Sequence, residues 1–327
     1  MKLSRIPALS SLLLLAACGG NSSDSNGGSD TPPAASTAIT AANAVTVARL
    51  SYAAALAAAG IGDLSSNAGL VASAPGGVSK IDGSFATAGT AGGGRASVPI
   101  PPTVENCDPS GTTTISGEIA DPFTPTLTPD DYFDVSFDMC NDGFSVTDGD
   151  LHYRVSAFSG DFLAGSYDLT MAATLHLFQV ATAADVLTSN GDATVRLDTL
   201  QAPFVTVEVS GAALTTDRNA SSETLSGFAS TQTVDGGLSP APYTLESSGT
   251  LTSTQLGGTV QYATPVMFEG LDVDYPHSGT LLVTGAGNSS ARLTAIDNVN
   301  VRIDIDADGD GTFETMLDTT WTALDGG

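Results

Sequence analysis

Asp306, Asp308, Asp310 and Glu314 are the densest group of chemically capable side chains in this 327-residue chain. They stand in the run Asp306-Ala307-Asp308-Gly309-Asp310-Gly311-Thr312-Phe313-Glu314. Carboxylates at alternate positions, with glycines free to turn sharply between them, can converge oxygen ligands on one hard cation such as calcium. The same spacing also suits a solvated acidic turn whose like charges simply point into water. Histidine offers less, with only His152, His176 and His277. Alternation around His152 and His176 puts both on polar strand faces, where they can be neighbours and serve as metal ligands, proton carriers or ordinary surface residues. No set with zinc-ligand spacing can be built from the three. There is no Gly-x-Ser-x-Gly elbow for a nucleophilic serine, and Ser79 directly precedes Lys80 instead of standing three residues before it. A single tryptophan, Trp321, provides little aromatic platform for a sugar, so paired carboxylates for glycoside hydrolysis lack support. Trp321 itself reads as cover for a final strand.

Counted from Asp306 as position one, the acidic run resembles the DxDxDG opening of calcium-binding loops, with Phe313 at the usual apolar position. It departs at position twelve, where Leu317 stands in place of the bidentate glutamate of an EF-hand loop. Glu314 and Asp318 are the substitutes within reach. The flanks read as strands, so the site would be a hairpin tip.

A second kind of chemistry lies at the other end. Lys2 and Arg5 precede an apolar stretch from Ile6 to Leu15, followed by Ala16-Ala17-Cys18. That is the charged start, short apolar region and small-residue cleavage site of a secretory signal. The cysteine after the small residues resembles the lipobox of bacterial lipoproteins, which implies cleavage at 1–17 and acylation of Cys18. The apolar stretch is too short to span a bilayer of about 30 Å, and no later segment reads as long and apolar enough. Anchoring therefore falls to several acyl chains. Gly19 stands where an aspartate would favour inner-membrane retention, which points to the outer membrane, on its periplasmic face or at the cell surface.

With Cys18 assigned to lipid, the remaining cysteines, Cys107 and Cys140, form an even pair in an oxidising compartment and are expected to be bridged. A formal charge of −26 excludes nucleic acid as a partner, since phosphate binding needs a basic footprint. It also favours solubility and attracts cations.

These residues must be positioned by elements that the pattern predicts. Residues 18–36 are Gly, Ser, Asn, Asp and Pro, and read as a disordered tether. Residues 37–60 predict one alanine-rich helix, with Thr37 as N-cap, Gly60 at its end, and Val45, Tyr52, Leu56 and Ala59 on one face. Residues 61–103 read as a flexible Gly/Ala/Ser-rich connector. From 104 to 327 the chain predicts a mainly β domain. Phe133-Val135-Phe137, Leu151-Tyr153-Val155-Ala157, Tyr167 to Leu177, Val205-Val207-Val209 and Val299 to Ile305 all alternate with polar residues. Period two with one apolar face means half-buried antiparallel strands. Turn signals at Asp142-Gly143, Asp148-Gly149, Asn190-Gly191, Asp235-Gly236-Gly237, Gly257-Gly258 and Asp308-Gly309 predict a large meander. Such a sheet must bury its apolar face as a curved sheet, open barrel or sandwich, with the helix as filler or lid. A transmembrane barrel shares the alternation, but the lipid anchor and the lack of aromatic girdles argue against it.

The stretch Tyr275 to Gly285, then Arg292-Leu293-Thr294-Ala295, Val301 to Gly311 and Thr320-Trp321, is similar to the ending of a group of uncharacterised proteobacterial outer-membrane lipoproteins. The likeness implies location and architecture, and no activity. The leading expectation is a non-enzymatic envelope lipoprotein that binds or scaffolds at the outer membrane, with a protein or hydrophobic ligand as its unidentified partner. A carrier of lipid or another hydrophobic small molecule in a β cavity is the alternative, and a hydrolase with an acidic or histidine site the third.

Overall fold

The computed structural model describes residues 36–65, 97–121, 126–143, 145–162, 164–182, 186–218 and 221–324. Cys18, the signal at 1–17, nearly all of the tether and most of the connector lie outside the described residues.

Fourteen strands follow one helix. They are β1 (Val98–Asn106), β2 (Ser110–Ile119), β3 (Tyr132–Asn141), β4 (Val146–Asp161), β5 (Ser166–Ala181), β6 (Val186–Asp198) and β7 (Phe204–Arg218). Then come β8 (Ser221–Asp235), β9 (Pro242–Ser253), β10 (Gly258–Leu271), β11 (Ser278–Thr284), β12 (Ser290–Ala295), β13 (Asn300–Asp306) and β14 (Thr315–Thr320). Each strand pairs with its sequence neighbour in one sheet, so the meander expected from the alternation is what forms. β1 and β14 do not meet, and the sheet stays open. Pairing starts at Val98, inside the stretch read as connector. Pro99, Pro101 and Pro102 hide that strand from a pattern reading, because proline lacks a ladder donor. An edge strand with a bulge between Ile100 and Thr103 tolerates them.

Two glycine signals read as turns lie within strands. Asp148-Gly149 sits in β4 and Asn190-Gly191 in β6, and they mark breaks in the β4–β5 and β5–β6 registers. A Cβ on Gly149 would fall 2.4 Å from the Leu177 carbonyl oxygen, and one on Gly191 would fall 2.6 Å from that of Ala213, so only glycine fits. The residue before each glycine serves the adjacent strand. Asp148 Oδ1 accepts from the Met139 N–H at 3.2 Å, and Asn190 Oδ1 accepts from the Leu177 N–H at 2.7 Å. Met139 and Leu177 both adopt positive φ, at 46° and 47°. The same device thus recurs in the β3–β4 and β5–β6 pairs. It corrects the expected inner face of β5: at the bulge Leu177 turns out to solvent and Phe178 takes the inward position against Phe137. Ala157, past another bulge in β4, is likewise exposed, as is Val299, which lies outside β13.

Helix α1 is Ala44–Ser65, displaced from the expected 37–60. Tertiary partners capture its supposed first turns. The Thr37 N–H donates to the Thr259 carbonyl at 2.9 Å, and the Ile39 N–H donates to Ser289 Oγ at 2.8 Å. The segment is therefore a strap across the β9–β10 and β11–β12 turns, and Thr37 is not an N-cap. Gly60 is absent from the positive-φ glycines and does not end the helix. Of the expected face, Tyr52 and Ala59 are buried and Leu56 packs half-buried on the core, while Val45 is exposed; the buried surface is broader than expected and also takes in Val47, Ala48, Ala55, Ala58 and Ile61. Ala44–Ile61 is, by length and composition, long and apolar enough to cross a membrane, contrary to the expectation that no later segment is. Its apolar surface packs instead on β6–β9 and β11–β13.

Trp321 opens the short helix α2 (Trp321–Leu324) and is fully buried. Its ring lies 4.9 Å from that of Tyr52, 6.2 Å from Phe268 on β10, and stacks on Tyr275 at 5.7 Å. β10 and β14 are four ladder steps apart, about 19 Å in a flat sheet, so this half of the sheet curls around α1.

Candidate metal centre

β13 delivers the acidic run to a hairpin tip, as its flanks imply. Asp306, the last residue of β13, is 2% exposed, whereas Asp308, Asp310 and Glu314 are exposed. One carboxylate oxygen from each of the four lies within 4.8 Å of the others. Calcium sits 2.3–2.6 Å from its ligands, so oxygens around one ion lie up to about 4.6–5.2 Å apart. The spacing fits a single ion.

Backbone hydrogen bonds set this geometry. Asp306 Oδ1 accepts from the Gly309 N–H at 2.7 Å and Oδ2 accepts from the Gly311 N–H at 2.9 Å. Asp308 Oδ1 accepts from Asp310 N–H at 3.2 Å, and Asp310 Oδ1 from Thr312 N–H at 2.7 Å. Each oxygen keeps a second lone pair for a cation. Gly309 is indispensable: its φ is +78°, and a Cβ there would fall 2.2 Å from the Gly287 carbonyl oxygen. The loop therefore rests on the β11–β12 turn, the same turn that holds the α1 strap. Glu314 closes the set, and its N–H returns to the Ile305 carbonyl at 3.0 Å. Asp318, the other substitute considered for position twelve, is engaged with Arg302 at 2.9 Å on the neighbouring strand.

Phe313 has a role that sequence did not show. The Arg292 guanidinium lies 4.3 Å above its ring and binds Asp304, a buried carboxylate on β13, at 2.8 Å. The only sequence signal was the apolar position beside the acidic run. Trp321 covers the end of the sheet as expected, and its Nε1–H donates to the Asp297 carbonyl at 3.1 Å. The Asp297 carboxylate is held below its ordinary range by Asn300 side-chain and backbone donors and by the Val299 N–H.

Cys107 and Cys140 are disulfide-bonded, with Cα atoms 5.4 Å apart, linking the β1 end to β3. His152 and His176 do lie on the outer face, on adjacent strands, and each faces an aspartate. His277 lies in the β10–β11 connection, its N–H bonded to the Glu269 carbonyl at 2.8 Å. The outer face carries a further ionic knot. Arg196 grips Asp168 with Nε at 2.9 Å and Nη2 at 2.8 Å, and reaches Glu208 at 2.8 Å. The Arg196 hydrogen bonds hold the Asp168 carboxyl below its ordinary range.

No known family model, curated protein or solved structure matches this chain.

Proposed function

We propose that this chain is a non-enzymatic, lipid-anchored protein of the cell envelope that binds or scaffolds a protein partner through the outer face of its sheet. The lipobox at Cys18, the tether and the C-terminal resemblance support an outer-membrane anchor through acyl chains. The observation that carries the binding role is the division of the sheet's two faces. The inner face of β6–β9 and β11–β13 is covered by α1, which takes the place a hydrophobic guest would occupy in a carrier. The outer face offers charged and hydroxyl groups held in fixed cross-strand positions, such as Arg154 with Asp130, Arg196 with Asp168 and Glu208, and Thr174 with Asp192. In this reading calcium at Asp306, Asp308, Asp310 and Glu314 is a structural staple. It offsets half of the charge of four converging carboxylates and fixes the tip that supports the α1 strap.

Native mass spectrometry of gently extracted full-length protein tests the function. A co-purifying protein that is lost when Arg196 and Arg154 are both changed to Glu is the expected result. A stoichiometric lipid would establish the carrier, and recovery of neither species would overturn the scaffold. For the staple, calcium should raise the melting temperature of the wild type and leave Asp308→Ala unmoved. Equal behaviour of the two would reduce the loop to an acidic turn.

A further inference from the structure

We propose that the free edge of β14 is a docking strand for an extended, cationic segment of a protein partner, which adds to the sheet as one more strand. The sheet is open, so β1 and β14 each keep one side unpaired. The sequence treats the two edges differently. β1 carries Pro99, Pro101 and Pro102 and a bulge, devices that block strand addition. β14 holds no proline, glycine or lysine, and its pairing with β13 runs unbroken from Thr315 to Thr320.

Ladder alternation identifies the free groups. The Trp321 N–H donates to the Val299 carbonyl at 3.0 Å, and hydrogen-bonded pairs recur at every second residue of an antiparallel ladder. Thr319, Leu317 and Thr315 therefore spend their backbone groups on β13. Met316 and Asp318 turn their N–H and C=O groups, and Thr320 its N–H, to the open side, where no described residue pairs with them. Met316 is 66% exposed and the Asp318 side chain 73%, both on the outer face. The strand is fixed before anything binds. At its start the Glu314 N–H bonds the Ile305 carbonyl at 3.0 Å, and at its end Trp321 is buried. An edge held at both ends gives up little conformational entropy on docking. Main-chain bonds then supply affinity, and alternate side chains supply specificity.

The chemistry of the occupant follows from charge. From Arg292 to Asp318 the sequence holds seven carboxylates against two arginines, and Asp308, Asp310 and Glu314 stand exposed beside the start of β14. The two positive charges of a calcium ion would leave this region negative. Asp318 meets Arg302 through Oδ1 at 2.9 Å, which leaves Oδ2 for a second cation. A basic side chain opposite Asp318 and an apolar one opposite Met316 therefore complement the edge, with a further basic residue beside the tip. A second copy of this chain fits poorly. It brings a formal charge of −26 to the contact, and a two-fold pairing centred on Asp318 would set two carboxylates directly opposite each other.

Amide hydrogen exchange of the full chain in calcium, read by mass spectrometry, tests the proposal with the capped peptide Thr-Val-Lys-Val-Val-Thr-Lys as the probe. In its presence exchange at β14 should slow by about tenfold, with β1 unchanged. The same peptide with both lysines replaced by glutamate should give no slowing. Met316→Pro should abolish the effect, because it removes a free donor and leaves every bond to β13 in place. Asp318→Lys should reverse the preference in favour of the glutamate peptide, a gain that a damaged fold cannot produce. The probe needs no cellular partner, so its result is independent of the native mass spectrometry above. Absence of slowing at β14, slowing that ignores peptide charge, or protection of β14 by self-association without peptide overturns the proposal.

Discussion

Replacing Trp321 by Ala should cost about 4 kcal/mol of stability. Removing a buried Trp typically costs 3–5 kcal/mol, from lost transfer energy plus the cavity left behind. Trp321 is fully buried among Tyr52, Phe268 and Tyr275, which belong to α1, β10 and the following loop, so no single element can collapse to fill the space. The Asp297 carbonyl also loses its indole donor, a contribution of about 1 kcal/mol included in the total. Against a typical total of about 5–15 kcal/mol this is a large fraction. Urea denaturation followed by far-ultraviolet circular dichroism should show a midpoint lower by about 1–1.5 M, for a slope near 3 kcal/mol per M. Trp321→Phe keeps the ring packing and loses the donor, so it should cost only about 1–2 kcal/mol. As the chain has one tryptophan, its fluorescence reports this junction alone. In the wild type the fluorescence and dichroism transitions should coincide if α1 and the sheet unfold together. A loss below about 1 kcal/mol for Trp321→Ala would refute the claim that the C-terminal turn, α1 and β10 share one cooperative core.

Changing Cys107 and Cys140 together to Ser should lower stability by about 3–4 kcal/mol in the chain-entropy model for a separation of 33 residues, read from the same urea curves. Gly309→Ala should depress the melting temperature and abolish any calcium-induced rise, since the added Cβ meets the Gly287 carbonyl and φ is unfavourable; an unchanged calcium response would refute the loop geometry. Asp168 has a folded pKa below the ordinary value of an aspartate, so its contribution is present above that ordinary value and lost as pH falls through the folded pKa. Nuclear magnetic resonance titration should show the depressed value, and Arg196→Met should return it to the ordinary range. Gln232→Leu should raise the melting temperature, because Gln232 Oε1 is buried with no hydrogen-bond partner among the described residues; a marked fall would show that the amide is satisfied.

The architecture was legible where one residue's character decides its face. In β3, β4 and β5 the alternation of Phe133, Val135, Leu151, Tyr153, Val155, Tyr167, Leu169 and Met171 reads directly as the inner face, and all are buried. It fails at Leu177, because a bulge resets the side-chain period by one residue and nothing local to Leu177 announces it. The announcing residues, Asn190 and Gly191, lie on the next strand, where the dipeptide has the composition of a turn. β1 was missed for a related reason: prolines are poor strand residues unless the strand is an edge, and edge position is a property of the whole sheet.

For the candidate calcium site, sequence named the four carboxylates correctly as a group, since ligands within nine residues of one loop are close whatever the fold. Asp318, the other substitute weighed for position twelve, is engaged elsewhere because the β13–β14 register places it beside Arg302. His152 and His176 were visible only as outward residues; their contact with Asp134 and Asp150 comes from cross-strand pairing.

By itself the sequence determined the class of fold, the pairing of Cys107 with Cys140, the acidic loop and the existence of an alanine-rich helix. Each depends on composition, on spacing along one strand, loop or helix, or, for the cysteines, on the lipobox reading that leaves an even pair. Only the tertiary structure decided where that helix begins, which face it buries, that the sheet curls around it without closing, and which charged groups meet across strands. Those outcomes depend on contacts between residues up to 250 apart, such as Ile39 with Ser289. At that range a buried backbone donor takes the partner the fold supplies, and local helix propensity of a few tenths of a kcal/mol per residue does not compete.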